Sequence, residues 1–136
     1  MKNILYTLAL FVSFSSSGQV IESFKKKTTA NTKERTLILD IVRASLYQDY
    51  RQEFIFVVNT LNVSSKYAWF QGTAVRKDGR EVVTSDDDDC CHVEGLLKRN
   101  YGKWYIVELV AFSTDVWWSG IWDTYNIPRK LFNRIY

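Results

Sequence analysis

Residues 54–75 read FIFVVNTLNVSSKYAWFQGTAV, two runs rich in β-branched and aromatic side chains separated by Ser64, Ser65 and Lys66. Such runs suit a pleated, half-buried surface, and a three-residue polar break between them is a short hairpin connection. In the first run Leu61 and Val63 are expected to share a face with Ile55, Val57 and Asn59, because side chains on a strand alternate. The reading is two antiparallel strands, Phe54 to Val63 and Tyr67 to Val75.

A second hairpin follows further along. Cys90 to Arg99 and Lys103 to Phe112 flank Asn100, Tyr101 and Gly102, where Gly102 is free to take positive φ. Between the hairpins lies a polar stretch from Arg76 to Asp89, with a turn signal at Asp78 and Gly79 and an apolar pair, Val82 and Val83, that would extend an edge strand. Upstream, from Lys33 to Tyr50, Leu37, Ile38, Ile41, Val42 and Leu46 recur at helical spacing, with Thr32 as N-cap and Glu34 placed to suit the helix dipole. Arg35 at N3 leaves no capping box, and Arg35, Asp40, Arg43 and Asp49 form the polar side. An apolar stripe of that kind has to cover a sheet. The fold class is therefore α+β: an N-terminal helix packed on a four-stranded antiparallel meander, followed by a short C-terminal aromatic helix.

That last element is read from STDVWWSGIWDTYNIPRKLF, residues 113–132. Ser113, Thr114 or Asp115 caps it and Pro128 closes it, so Trp118, Ile121, Trp122 and Tyr125 share a face while Trp117 lies off it. Trp117, Trp118 and Trp122 suit either of two tasks, closing the open end of the sheet or forming a stacking platform for a ligand, since an indole offers a flat apolar surface and one donor.

The chain opens MKNILYTLALFVSFSSSGQ, a lysine, an apolar stretch from Ile4 to Phe14 and then small residues. This is the pattern of an export signal with cleavage near Gly18. A mostly apolar stretch of 11 residues falls short of the roughly 20 that cross a bilayer, so no transmembrane segment is expected. The organisation read from sequence is a signal peptide over residues 1–18, a flexible lead over 19–33 and a single α+β domain over 34–136, in a secreted or periplasmic protein. A formal charge of +3 is too mild for a nucleic-acid footprint.

Cys90 and Cys91 are adjacent, and the trans spacing of neighbouring Cα atoms lies below the window of an unstrained disulfide, so no bridge between them is expected. Asp86 to Asp89, Cys90, His92 and Glu94 form the one gathering of metal-type ligands, with Asp86, Asp88, Cys90 and His92 as the set for a metal. On a strand Cys90, His92 and Glu94 would share a face. No second histidine completes a closed tetrahedral zinc site, and the calcium-loop glycine and glutamate are missing, so the expectation is a solvated acidic loop, without metal or cofactor. For catalysis the candidates are His92 as the only histidine, with Glu94, Glu108 and Asp115 as carboxylates. Glu108 is read on one face with Trp104, Ile106 and Val110, at a pocket rim or paired with Arg43 or Arg76.

The helix ERTLILDIVR, the strand KYAWFQGTAVRKDG, the hairpin LLKRNYGKWYIVE and the aromatic tail together resemble small exported bacterial proteins without an assigned activity. They are loosely similar to the cystatin-like and nuclear-transport-factor-2-like arrangement, a helix wrapped by a curved antiparallel sheet. Gly102, Trp104, Val107 and Glu108 match a hairpin pattern of such domains, and the resemblance implies that Trp104 packs in the core. One leading helix in place of three implies a shallower site, and the resemblance carries over no catalytic residue. The function expected is a non-catalytic exported domain, monomer or homodimer, that binds a protein, a glycan or a small ligand. The alternative is a small secreted or periplasmic hydrolase or isomerase using a carboxylate and histidine pair in a pocket.

Overall fold

The computed structural model describes residues 19–85 and 89–132. The signal-peptide reading of residues 1–18, and Asp86 and Asp88 of the metal reading, lie outside the described residues. In chain order the elements are β1 (Glu22–Ser23), α1 (Thr32–Tyr50), β2 (Phe54–Val63), β3 (Tyr67–Arg76), β4 (His92–Asn100), β5 (Lys103–Ala111), α2 (Ile121–Thr124) and a 3-10 turn, Arg129–Phe132. The strands form one antiparallel sheet in the order β1-β2-β3-β4-β5, a meander with α1 across its inner face and the C-terminal tail on its outer face.

Local chemistry sets both hairpins. Ser64 Oγ accepts from the Tyr67 amide at 3.0 Å and the Ser64 amide donates to the Tyr67 carbonyl at 2.8 Å, which closes the β2–β3 turn. In the β4–β5 turn Tyr101 and Gly102 both take positive φ, 49° and 75°, the pattern of a two-residue turn whose twist matches the flanking strands. Tyr101 bears that conformation fully exposed, so its ring meets no neighbour.

Residues 19–24, read as part of a flexible lead, are tied down. Glu22 and Ser23 pair with Val63 and Asn62, the Phe24 amide donates to the Leu61 carbonyl at 2.6 Å, and Phe24 is buried in the core. Arg35 reaches back from α1 to the Phe24 carbonyl at 2.9 Å. A two-residue strand has no periodicity to detect, which is why four strands were read where five exist. Helix α1 starts at Thr32, with Asn31 and not Thr32 at the N-cap position. The Asn31 side chain serves the preceding loop, accepting from the Thr28 amide at 2.9 Å and donating to the Lys26 carbonyl at 3.0 Å. The buried face of α1 is Ile38, Leu39, Val42 and Leu46, whereas Leu37, expected inside, is half exposed. Val82 and Val83 add no strand; the Val83 backbone pairs with the Gln52 amide group instead, at 2.9 and 2.7 Å.

Two bulges correct the faces assigned from alternation. Val58 pairs with Gly72 and Thr60 with Gln71, so Asn59 is an extra residue; Leu97 pairs with Ile106 and Leu96 with Glu108, so Val107 is another. Each extra residue turns the strand beyond it by one face. Leu61 and Val63 therefore point into the α1 core while Ile55 and Val57 are exposed on the outer face. Trp104 keeps its expected place, buried under α1, with its indole donating to Glu34 Oε1 at 3.2 Å and the Arg99 guanidinium 4.5 Å above its ring.

Cys90 and Cys91 also differ from the expectation. They form the turn that leads into β4, their Cα atoms lie 3.1 Å apart across a cis peptide, and their sulfurs are bonded. The expectation rested on trans spacing and strand geometry, neither of which holds in this turn.

Candidate functional site

The outer face of the sheet is divided. Tyr67, Trp69 and Leu96 lie under the tail, where Trp118, Ile121, Ile127, Leu131 and Phe132 cover them. Asn62 faces the same way; it is buried, and its side-chain amide donates to the Leu131 carbonyl at 2.8 Å, fastening the tail to β2. Beyond Trp69 the tail ends its coverage, and the same alternation carries Gln71, Thr73 and Val75 of β3 along the bare half.

Glu94 of β4 stands directly opposite Gln71. Its side chain is only 8% exposed, and both of its close polar contacts fall on Oε1: Gln71 Nε2 donates at 2.8 Å and His92 Nε2 lies at 2.8 Å. Burying a carboxylate is costly unless hydrogen bonds replace the lost water, and these two partners supply them. His92 is 42% exposed and sits two residues before Glu94 on the same strand, hence on the same face. The geometry is that of an oriented imidazole: the carboxylate holds one ring nitrogen, and in the tautomer whose Nε2–H donates to Glu94 Oε1, Nδ1 is left as an acceptor. Gln71 is the member that sequence reasoning missed. The available signal was a lone amide in the outward series Tyr67, Trp69, Gln71 of an otherwise apolar strand.

The other candidates are not brought to this pair. The bulge at Val107 places Glu108 on the outer face, away from Trp104, where the Tyr125 hydroxyl donates to its Oε1 at 3.4 Å. Arg43 and Arg76, its expected partners, pair with Asp40 and Asp78. Asp115 is exposed in the loop after β5, its amide donating to Ser113 Oγ at 3.1 Å. Cys90 lies in the turn before β4 and shares no strand face with His92, and among the described residues no three His, Cys, Asp or Glu side chains gather as a metal set.

The tail is more irregular than a single capped helix. Trp117 to Gly120 form turns, α2 spans only Ile121–Thr124 with Gly120 before it at φ 81°, and Pro128 opens the 3-10 turn instead of ending the structure. Trp118 is buried and Trp122 partly so, as the shared face required. Trp117, placed off that face by helical spacing, also turns inward and lies 5.8 Å from the Trp69 ring. The indole nitrogens of Trp117 and Trp122 are buried without a hydrogen-bond partner among the described residues. Two cavities elsewhere are recessed: one of about 410 Å³ between α1 and the start of β2, lined by Arg43, Tyr47 and Phe54, and one of about 260 Å³ lined by Phe24, Glu34 and Arg99. Neither is lined by His92 or Glu94.

Compared with known proteins, the chain matches no family model, no curated protein and no solved structure.

The tail contact gives a pH prediction. Burial of the ring and the neighbouring Glu108 carboxylate both hold the Tyr125 phenol above its ordinary value. A group whose folded pKa is raised contributes stability that is complete below its unfolded pKa, about 10, and is lost as pH rises through the folded value. Ultraviolet titration of the wild type against Tyr125→Phe is expected to show one phenol ionising late, and Glu108→Gln is expected to move that transition back toward the other tyrosines. A Tyr125 transition indistinguishable from the rest would remove Glu108 from the account.

Proposed function

We propose that the chain is an exported, non-catalytic domain that binds another protein through the bare half of its outer sheet face. The observation that carries this reading is a contiguous apolar strip: Ile55 and Val75 are cross-strand partners, Val57 is two residues from Ile55 on the same face, and the three are 48%, 39% and 58% exposed. Single exposed apolar residues need no explanation, but a grouped patch rimmed by polar side chains marks an interaction surface. Here the polar side chains alongside are Gln71, Glu94 and His92, joined to one another at 2.8 Å. Neither recess is lined by Ile55, Val57 or Val75, which suits a macromolecule better than a small ligand, since small-molecule sites are concave. Export rests on the apolar stretch Ile4 to Phe14 and the small residues after it. The helix laid on an antiparallel meander supports a cystatin-like or nuclear-transport-factor-2-like arrangement on layout alone.

One observation favours a second reading. The His92 and Glu94 contact of 2.8 Å is the pairing that orients a general base, and a small hydrolase or isomerase would use it with the substrate on the bare face.

A photo-crosslinking residue placed at Val75, with one at exposed Thr36 on α1 as control, tests the binding reading in cells that export the protein. A discrete crosslinked protein from position 75 and none from position 36 is the expected result. Equal patterns at both positions, or none, would refute it. The enzyme reading makes a different demand: Glu94→Gln would abolish turnover and leave the Val75 crosslink in place.

A further inference from the structure

The sheet has an edge that nothing in the described chain completes. β1 covers β2 only at Asn62 and Val63, with the Phe24 amide on Leu61, so β2 from Phe54 to Val58 has a neighbour on one side alone. Which main-chain groups face outward follows from the ladder. The Ala74 amide donates to Cys91 on the β4 side and the Lys77 amide donates to Glu53 on the β2 side. Since direction alternates residue by residue, Thr73 and Val75 face β2, and Ile55 and Val57 face back to them. The N–H and C=O groups of Phe54, Phe56 and Val58 therefore point away from the sheet. Such a row is a template for another strand, and protein edges ordinarily carry a charge, a proline or a cover to prevent pairing. The segment FIFVV has neither a charged residue nor a proline.

We propose that this edge pairs with the same edge of a second copy, antiparallel about a two-fold axis at Phe56, so that β2 to β5 of both chains form one continuous sheet. The inference does not require the binding reading of the bare face, although Ile55 and Val57 belong to both surfaces. The edge is complementary to itself: with Phe56 opposite its counterpart, Phe54 meets Val58, both outward-bonding, and Ile55 meets Val57 on the outer face. Every cross-strand pair is apolar, and Glu53 falls opposite Asn59, so no like charges meet. A two-fold arrangement requires this kind of self-matching surface. The apolar area is limited. Ile55 and Val57 are half exposed, a small part of the about 800 Å² per partner of a standard interface, so the dimer is expected to be weak and concentration dependent.

Sedimentation of the purified protein from low micromolar to several hundred micromolar concentration tests the proposal. The expected result is a monomer–dimer equilibrium within that range. Val57→Lys puts a charge on an exposed edge position, and Val58→Pro removes an outward N–H that no strand of the same chain uses. Each is expected to weaken dimerisation by roughly tenfold or more, with circular-dichroism melts showing both variants folded. A wild type that stays monomeric throughout overturns the proposal and leaves a foreign extended segment as the edge's occupant. A dimer that withstands Val58→Pro but is lost on Val75→Lys overturns it too, because the contact then lies on the sheet face and not on the edge.

Discussion

Trp104→Ala is expected to lower stability by about 3–5 kcal/mol, the range for truncating a buried aromatic that leaves a cavity. Trp104 is 7% exposed and lies where β5 meets α1. Three interactions end with it: packing under the helix, the indole bond to Glu34 at 3.2 Å and the stacked Arg99 at 4.5 Å. Glu34 also pairs with Arg99, so removing the ring opens that ion pair to water as well as emptying the core. Against a total of roughly 5–15 kcal/mol for a domain of this kind, the variant sits near unfolding. Trp104→Phe separates the causes. It keeps most of the volume and loses the indole donor, at a cost of about 1 kcal/mol because Glu34 is partly exposed. Urea unfolding of both variants measures the two costs. A loss below about 1 kcal/mol for the alanine variant would place the ring outside the core, contrary to the packing seen.

How legible this was in sequence depends on what each residue answers to. Strand existence and both hairpins followed from composition, because Ser64 to Lys66 and Asn100 to Gly102 are turn chemistry that acts locally. The facing of individual side chains did not follow. Alternation is a reliable ruler only while the ladder is regular, and the extra residues Asn59 and Val107 reset it in mid-strand. Neither is a glycine or otherwise marked, since a bulge is imposed by neighbouring strands and not by its own residue type. Alternation alone therefore puts Glu108 on the face of Trp104 and Leu61 on the face of Ile55, and the bulges place both on the opposite side. The same dependence hid the site. His92 and Glu94 were recognisable as chemistry-bearing residues one strand step apart, but Gln71 joins them only through the β3–β4 register, which has no local signature. Leu37 shows the limit for helices: spacing identified a stripe, yet whether its edge is Leu37 or Leu39 depends on how the helix rolls on the sheet.

Trp69→Ala is expected to separate the two halves of the core. Trp69 is 1% exposed and is the floor of the outer cluster, with Trp117, Trp118 and Phe132 at centroid distances of 5.8, 6.3 and 4.9 Å. The loss is again about 3–5 kcal/mol by volume, but it falls on a different unit. The inner cluster under α1 contains neither Trp69 nor any tail residue. The tail is held largely by its packing on this ring: its helix of four residues is too short to persist alone, and the Asn62 bond to Leu131 and the Tyr125 contact with Glu108 are among its polar ties. Two buried indole donors, at Trp117 and Trp122, have no partner among the described residues and weaken it further. Removing the ring on which the tail rests therefore frees the tail before it unfolds the sheet. Amide exchange in the variant is expected to lose protection from Trp117 to Phe132 while α1 and β2 to β5 retain theirs, and acrylamide is expected to quench the tail tryptophans far more than in the wild type. A single cooperative loss of protection across α1 and the tail together would mean that the two clusters form one unit coupled through the sheet. In that case the tail would be as firmly part of the fold as the helix on the opposite face.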